Sequence, residues 1–577
     1  MKHFDGIAKV SSSNEGLFFG GDALGIDSWA VIYLILWEVK CSGDSSCEMT
    51  VDKKCVVIST GSHRTVAGFN NVDLPQCTIP SSYVRVLRDD DVSMDAGEED
   101  ESRYEYVFGL FDMMDEAAFD VNGKGGREVF TIVDDHGIPY NWKALERLYR
   151  HIYEKELKVD PSELPLVITL PSMTNRELET KIVENYMELA FEKLKVPVLQ
   201  IVVEPLGIML STGKSSSLVI DVGATGCTVT PIIDGTILRN SIVKSRFAGD
   251  FLDFQTHKKL EELKKRVAKD DMETDGMEET PQSSLQVWLN ANTSIHEFKT
   301  SMVSVFDKDL KEVEKYYEEQ MRLYRQQQER MAEQQNSQTQ QMNQYTIPMN
   351  NPNINNPLVQ KQNYLLRVKD DKTGAMINRT VQVENKELYE IAEYLFQPKL
   401  ASEDFSSKDG LGELIGKAIK KSGASVNSNT AGTQVSGSGN SSGGNSGPQT
   451  NGPLIPLNGY SSIGFGTSAT GAGSDGSATN NITPEHVYSL LLTNVIITGG
   501  TSLIDGMEQR IIRELSIRFP QYKLSTFTNP DQLQRSLQAW NGAVSLSNLP
   551  KWGLTQWFTK EDFNNHKLKK DNNNVSQ

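Results

Sequence analysis

Short apolar runs followed by glycine-rich polar turns are the most regular pattern along the chain. One run, Asn494–Ile497, has the length and composition of a buried strand, and apolar residues recur at helical spacing over Met507–Leu515. Between them lies Thr498-Gly499-Gly500-Thr501-Ser502, whose glycines would let backbone N–H groups approach a ligand in front of a helix N-terminus. A plain strand–helix connection has the same pattern. The turn therefore predicts a binding loop only if the chain contains others of its kind.

Two earlier segments repeat the pattern. In one, the predicted strand Leu218–Ile220 ends at Asp221, glycines follow, and the β-rich stretch Val229–Ile233 returns. In the other, an apolar strand starting at Cys55 turns at Thr60-Gly61-Ser62 and a second strand returns. Two hairpin loops in separate halves, with a later strand–turn–helix loop, resemble the nucleotide signature of the superfamily that contains actin, sugar kinases and Hsp70. Their order and spacing carry the resemblance, since none of the three is specific alone.

Several segments fall outside this pattern. The apolar stretch Trp29–Trp37 is too short to span a bilayer and too far from the N-terminus for an ordinary signal peptide. Asp89–Glu101 is acidic and predicts a solvated insertion. Asp307–Gln341 has apolar residues near helical spacing and predicts a protruding helix with a frayed end. Asn350–Asn356 predicts a linker, and Ser422–Asn481, rich in Ser, Gly, Asn and Thr, predicts a disordered insertion.

Charge and cysteine content exclude some classes of function. The net charge is −18 over 577 residues, which argues against direct wrapping of nucleic acid, because phosphate affinity needs clustered Lys and Arg. The five cysteines form no CxxC pair and predict buried or free thiols in a reducing compartment. A chain of this length can bury two large cores. Any link to nucleic acid should therefore pass through protein partners.

Longer stretches resemble the actin family. They are Asp135–Glu177, the segment from Lys195 to Gly223, Glu393–Leu400 and Ala539–Phe563. The resemblance implies an α/β, two-lobed actin-like fold with a central nucleotide cleft. It divides the chain into a non-family extension (1–53), a first lobe (54–203), a second lobe (204–563) whose C-terminal segment returns to the first, and a disordered tail (564–577). The implied insertions are 89–101, 307–363 and 422–481. Since the family-like sequence begins at Met49, we expect the native chain to start there.

The resemblance also implies a nucleotide site that has lost charges. Ser59 and Val66 stand where the family has a metal-orienting carboxylate and a phosphate-binding lysine, and Ala224 replaces an acidic residue on the second loop. Glu204 and Thr228 stand where it has a water-orienting glutamine and histidine. The retained ATP-binding positions are Gly61, Ser62, Asp221, Gly223, Gly249, Lys299, Gly499, Gly500 and Thr501. Since phosphoryl transfer depends on positioning and charge neutralisation, we expect weak ATP binding at most, without efficient hydrolysis. The alternative is that the glycines serve only the turns of the fold.

Finer features resemble the nuclear actin-related proteins of fungi. That resemblance implies a non-catalytic scaffold subunit of SWI/SNF-type and RSC chromatin remodellers, located in the nucleus. Its implied partners are a second actin-related protein and the HSA helix of the remodeller ATPase, with no direct contact to nucleic acid or membrane. The implied groove for an amphipathic helix is lined by Leu210, Gly213, Gly235, Leu546, Leu549 and Trp552. The alternatives are that these leucines are core residues and that the chain is an actin-like ATPase or a filament-associated protein.

Overall fold

In the computed structural model two β-sheets, each with its own core, form the centre of the molecule. The residues described are 54–87, 104–119, 128–270, 283–337, 351–369, 375–431, 483–549 and 557–575. No helix among these residues is long and apolar enough to cross a membrane. The cysteines in these ranges, Cys55, Cys77 and Cys227, are buried free thiols.

The first sheet has six strands. In chain order they are β1 (Val56–Thr60), β2 (Arg64–Phe69), β3 (Cys77–Pro80), β7 (Leu166–Leu170), β8 (Val198–Val203) and β16 (Trp557–Thr559). Their spatial order is β16-β8-β7-β1-β2-β3. β1, β7 and β8 are mutually parallel, and the other neighbours are antiparallel. The parallel strands are nearly continuous apolar runs because helices cover both of their faces.

The second sheet has five strands. They are β9 (Ser217–Val222), β10 (Cys227–Ile233), β11 (Thr236–Ile237), β12 (Val243–Ser245) and β15 (Val495–Thr498). The order is β11-β10-β9-β15, with β12 also paired to β10. β9 and β10 form an antiparallel hairpin, and β15 lies parallel to β9. The strands predicted at Leu218–Ile220, Val229–Ile233 and Asn494–Ile497 are thus confirmed, to within a residue or two at their ends.

Two smaller sheets lie outside these centres. One, in the order β5-β4-β6, consists of β4 (Ser82–Leu87), β5 (Tyr104–Val107) and β6 (Val129–Thr131). The other is the hairpin of β13 (Lys361–Lys369) and β14 (Met376–Glu384). The alternating burial of β14 is typical of a ribbon with one face on a core.

The described helices surround both sheets. They are α1 (Leu110–Phe119), α2 (Trp142–His151), α3 (Arg176–Glu188), α4 (Glu204–Ser211), α5 (Gly249–Asp270), α6 (Ser284–Asn290), α7 (His296–Met302), α8 (Leu310–Ser337), α9 (Asn385–Glu393), α10 (Leu411–Ala431), α11 (Pro484–Leu492), α12 (Met507–Arg518), α13 (Gln532–Ser536), α14 (Gln538–Ser547) and α15 (Lys560–Val575). The helix predicted over Met507–Leu515 is confirmed as α12. The helix predicted within Asp307–Gln341 is confirmed as α8.

The two halves meet where α4 crosses α14. Gly207 on α4 and Gly542 on α14 lie at the crossing, and a Cβ on Gly542 would come within 2.5 Å of the Gly207 carbonyl carbon. Only glycines allow the two backbones to approach so closely. On one side of this crossing, Trp540 and Leu546 pack against the first sheet, and on the other, Leu206 and Met209 pack against the second.

Two predicted boundaries differ from the structure. α10 continues to Ala431, so the first ten residues of the segment predicted as disordered from Ser422 are helical. Ser422 is buried and donates to the Ala418 carbonyl at 2.8 Å, which lets a polar residue continue the helix. The boundary of the tail predicted from residue 564 differs in the same way, because a helix, α15, begins at Lys560, includes the buried Phe563 and runs to Val575. The acidic run 89–101 and the extension 1–53 lie outside the described residues.

Candidate functional site

The first candidate loop is the turn between β1 and β2. Gly61 donates its N–H to the Arg64 carbonyl at 3.0 Å, and the Ser81 hydroxyl donates to the Gly61 carbonyl at 2.7 Å. These bonds fix the turn and leave Ser62 partly exposed at its tip. At the start of β2, Val66 packs against the apolar cluster under α14. The first loop therefore has the shape of an anion-binding turn without a lysine at Val66.

The second loop is the turn between β9 and β10. Gly223 donates to the Gly226 carbonyl at 2.9 Å, and its own carbonyl accepts from the Gly249 N–H at 3.1 Å. Gly249 begins α5, so a helix N-terminus faces this loop. A Cβ on Gly249 would come within 2.6 Å of the Thr501 hydroxyl oxygen. Glycine is therefore required here by packing, whether or not a ligand binds.

The third loop, after β15, packs directly on the second. Gly499 has φ +91°, and a Cβ there would overlap Asp221 and the Val222 carbonyl. The Thr501 hydroxyl donates to the Gly223 carbonyl at 2.7 Å. Gly500 is different, because a Cβ there would meet only the Arg64 guanidinium, at 3.8 Å. The structure thus brings Asp221, Gly223, Gly249, Gly499 and Thr501 together and leaves open space at Gly500.

Lys299 lies beside the second loop, but its charge is already paired. Its Nζ is 2.6 Å from Asp253 Oδ1 and 3.5 Å from the Gly249 carbonyl oxygen, and the residue is 8% exposed. Asp253 lies on α5 and Lys299 on α7, so the ion pair joins these helices. The sequence could not show this partner. Because Asp253 already neutralises the charge of Lys299, we expect Lys299 to attract a phosphate less strongly than the resemblance implies.

Sequence reasoning overlooked two basic residues on the first loop, of which only Arg64 is a cation at pH 7. Arg64 reaches from the first half of the molecule to the Gly500 loop of the second. Burial, followed by the charges of Arg64, Lys299 and His296, lowers the pKa of His63 to about 4, so His63 is neutral at pH 7. The signal was available, because "GSHR" places both residues directly after Gly61-Ser62.

A pair of carboxyl groups lies at the base of the cleft. A cavity of about 20 Å³, enough for a single water, is lined by Glu204, Asp221, Thr228 and other residues. Burial, and then the charge of Asp221, raises the pKa of Glu204 to about 7, and burial raises the pKa of Asp221 to about 6. The Thr169 hydroxyl lies 2.9 Å from both a Glu204 oxygen and the Ser59 hydroxyl. Ser59 thus joins this polar network, in the position where the resemblance implies a carboxylate.

The glycine turns could accommodate a nucleotide, but the charged groups nearby are poorly placed to catalyse its hydrolysis. The N-terminus of α5 suits a phosphate through its dipole, while the N–H groups of Gly61, Gly223 and Gly249 are bonded within the loops. Gly500 leaves room for a larger group. Within the described ranges, no group of three His, Cys, Asp or Glu side chains is placed to hold a metal ion. Bound ATP would bring its phosphates to the turns at Gly61 and Gly223, beside Arg64.

The candidate partner groove lies at the ends of α4 and α14. Leu210 and Leu549 are partly buried against the same cluster. Gly213 and Gly235 both have φ +72°, and the Gly235 N–H bonds to the Ser215 carbonyl at 2.7 Å, next to the end of α4. Leu546 is 1% exposed and belongs to the core, so its side chain cannot line an open groove. Trp552 lies outside the described residues.

Comparisons with known proteins cover most of the chain. The family model described as Actin matches residues 50–444 and 468–569. Actin-related protein 7 of Saccharomyces cerevisiae is 50% identical over 525 residues, which are 91% of this chain and 98% of that protein. Actin-related protein 4 of Candida albicans is 23% identical over 528 residues, 88% of this chain and 94% of that protein. The SWI/SNF and RSC complexes subunit arp42 of Schizosaccharomyces pombe is 33% identical over 118 residues, 20% of this chain and 27% of that protein.

Proposed function

The chain belongs to the actin family, and on that premise we propose that it is a non-catalytic subunit of a nuclear chromatin-remodelling complex. In this proposal the actin fold acts as a scaffold, and its surfaces bind the other subunits. The relatives support the proposal, since one at 33% identity is described as a subunit of SWI/SNF and RSC complexes.

The composition of the first loop is the main observation that supports a non-catalytic role. Phosphoryl transfer needs charges placed at the phosphates and at the attacking water. Here Ser59 lies in the polar network at the base of the loop, and Val66 is partly buried against the apolar cluster under α14. Arg64 is a cation elsewhere on this loop and can bind an anion. The loop from Ser59 to Arg64 itself has no carboxylate to orient a metal-bound water. The glycine turns are nevertheless kept by close packing, which explains their presence without catalysis.

Two partners follow from the proposal. One is a second actin-related protein, forming a heterodimer, and the other is the HSA helix of the remodeller ATPase. An apolar groove that accepts the i, i+3, i+4, i+7 face of a helix is a standard recognition mode. In the isolated chain, Leu210 and Leu549 are the partly exposed apolar residues of the predicted groove, beside the turns at Gly213 and Gly235.

Leu549→Asp is expected to weaken binding to the HSA segment roughly tenfold or more, because losing burial of one leucine costs about 1.5–3 kcal/mol. The chain should remain folded, since Leu549 lies at the margin of its cluster. A thermal melt and a quantitative pull-down on the HSA segment measure both effects. Ile517→Asp, at a 61% exposed residue of α12, is the matched control and should bind normally. Unchanged binding by Leu549→Asp would place the helix on another face, and an early melt would assign Leu549 to the core.

Gly500→Trp is expected to abolish binding of a fluorescent ATP analogue. Gly500 faces open space bounded by Arg64, so an indole should fill the site without disturbing the fold. Ile517→Trp, at a 61% exposed residue in the last turn of α12, is the control for the added tryptophan. Phosphate release should stay at background in every variant. Equal binding by Gly500→Trp and the wild type would locate the nucleotide elsewhere. If the wild type binds no analogue, the cleft has no nucleotide role, and the scaffold proposal is unaffected.

A further inference from the structure

Two segments of the chain begin at the candidate loops and pack against each other at a point away from the α4–α14 crossing. The first begins with β4, directly after Ser81, the residue that holds the Gly61 turn. The second begins with α5 at Gly249, beside the second loop, and returns through α7, which brings Lys299 back to Gly249. The cleft is therefore bordered at one end by the α4–α14 crossing and at the other by the contact between these two segments.

The meeting point is an apolar cluster shared by both halves. Val84 and Met113 from the first half and Leu285 from the second are each 0% exposed. Around them pack the partly buried residues Val86, Val107, Val129, Trp288 and Leu289. We call these eight residues the apolar clasp. One hydrogen bond crosses beside it, from the Val129 N–H to the Ser284 hydroxyl at 3.3 Å.

The helix that carries the second half's part of the clasp is the first part of a longer helical segment. α6 continues without a break through the π-helical turns Ala291–Ile295 into α7, which ends at Met302 beside the cleft. The N-terminus of α6 is fixed by a capping box between Ser283 and Gln286. Leu285 is its one buried residue in the described structure. Separating the halves here would expose Leu285, Met113 and Val84 together.

Polar contacts also join the two halves at other places. The Ser172 and Thr230 hydroxyls lie 2.9 Å apart, and Arg239 forms an ion pair with Glu179 through two hydrogen bonds of 2.5 and 3.1 Å. The Asp135 carbonyl lies 3.4 Å from the position of a Cβ on Gly226, so the walls of the cleft are in close contact. When the cleft opens, these polar groups regain hydrogen bonds to water, so their net contribution to closure is small. The three fully buried side chains of the clasp have no such compensation, so we expect the clasp to have the greater influence on cleft opening.

We propose that the apolar clasp, rather than a bound nucleotide, holds the cleft closed, so that opening of the cleft is limited by separation of Leu285 from Met113 and Val84. This proposal rests on the proposed nucleotide cleft and adds the contact that controls access to it. Closure itself is measured without nucleotide, so the result does not depend on whether ATP binds or on which complex contains the chain.

Hydrogen exchange of the full chain, followed by mass spectrometry without nucleotide, tests the proposal. Leu285→Ala should accelerate exchange at least roughly tenfold in peptides that cover Val129 and in those that cover the loops at Gly61 and Gly223. An element remote from the candidate loops, such as β16 at the outer edge of the first sheet, should exchange as in the wild type. Val287→Ala is the matched control, since Val287 lies on the same helix but is 54% exposed. Met113→Ala, which opens the clasp from the other half and leaves α6 intact, should give the same pattern.

Three results would overturn the proposal. The first is faster exchange at Val129 with unchanged loops, because the clasp would then open without the cleft. The second is a difference between Met113→Ala and Leu285→Ala at the loops, which would indicate local unfolding of one helix. The third is that added ATP slows exchange of the wild type around Val129, a region away from the loops, because the nucleotide would then supply the closure. If the chain does not co-purify with a remodeller, the proposed function is rejected, but the conclusion about the clasp is unaffected.

Discussion

Arg510→Ala is expected to destabilise the chain by about 3–5 kcal/mol, because it leaves a buried carboxylate without its partner. Arg510 and Glu393 are each 2% exposed and form two parallel hydrogen bonds of 2.9 Å. The guanidinium also donates to the Lys308 carbonyl at 2.6 Å and to Glu514 at 2.9 Å. One side chain thus joins α12, α9 and the segment before α8. Chemical denaturation of the full chain measures the loss.

The cost of Arg510→Ala should be larger at pH 8 than at pH 6. Burial raises the pKa of Glu393 to about 7, against the opposing hydrogen bonds from Arg510. A carboxyl whose folded pKa is raised binds more protons when folded, so stability falls as pH rises from its unfolded pKa towards its folded pKa. Removing Arg510 raises the folded pKa further and extends this fall above pH 7. Arg513→Ala, which breaks an exposed 3.8 Å pair on the same helix, should cost less than about 1 kcal/mol. A loss that is small, or equal at both pH values, would contradict the assignment.

Leu546→Asp is expected to cost about 4 kcal/mol or more, since it removes a buried leucine and places a carboxyl in an apolar core. Leu546 packs with Cys55, Val57, Val167 and Trp540 between α14 and the first sheet. The thermal melt of the isolated chain should shift down or lose its cooperativity. Leu546→Met, which conserves volume, should cost less than about 1.5 kcal/mol. Ser545→Asp, at the exposed neighbouring residue, should leave the melt unchanged. A stable Leu546→Asp chain would mean that the leucine faces a groove after all.

The three glycine loops could be predicted from the sequence because each follows a short apolar run that ends at glycine, and this length and boundary favour a buried strand over a helix. Their glycines are further constrained by close packing, as at Gly499 and Gly249. The pattern of a single segment cannot show which face of a helix meets which neighbour. Leu546 and Leu549 therefore looked alike, although α14 places the first in the core and the second at its margin.

Other differences arise from contacts between distant segments. Lys299 is paired by Asp253, and Arg64 reaches a loop more than 400 residues away, which neither local spacing nor composition indicates. Composition also gave the wrong start for the insertion at Ser422. Its serine and glycine content argues for disorder, but the first turns continue α10, which packs against α11 and the second sheet.

The last segments of the chain complete the sheet formed by the first. β16 pairs with β8, and α14 covers the sheet, with Trp540 Nε1 donating to the Val57 carbonyl at 3.1 Å. In the sequence, 337 residues separate Val203 from Trp540. At about 5–20 residues per second, the ribosome needs about 20–70 s to bridge that interval. During that time β1, β7 and β8 expose the apolar surface that α14 later covers. The first half therefore finishes folding only after the second has been synthesised, and a chain that stops before Trp540 lacks part of the core of the half made first.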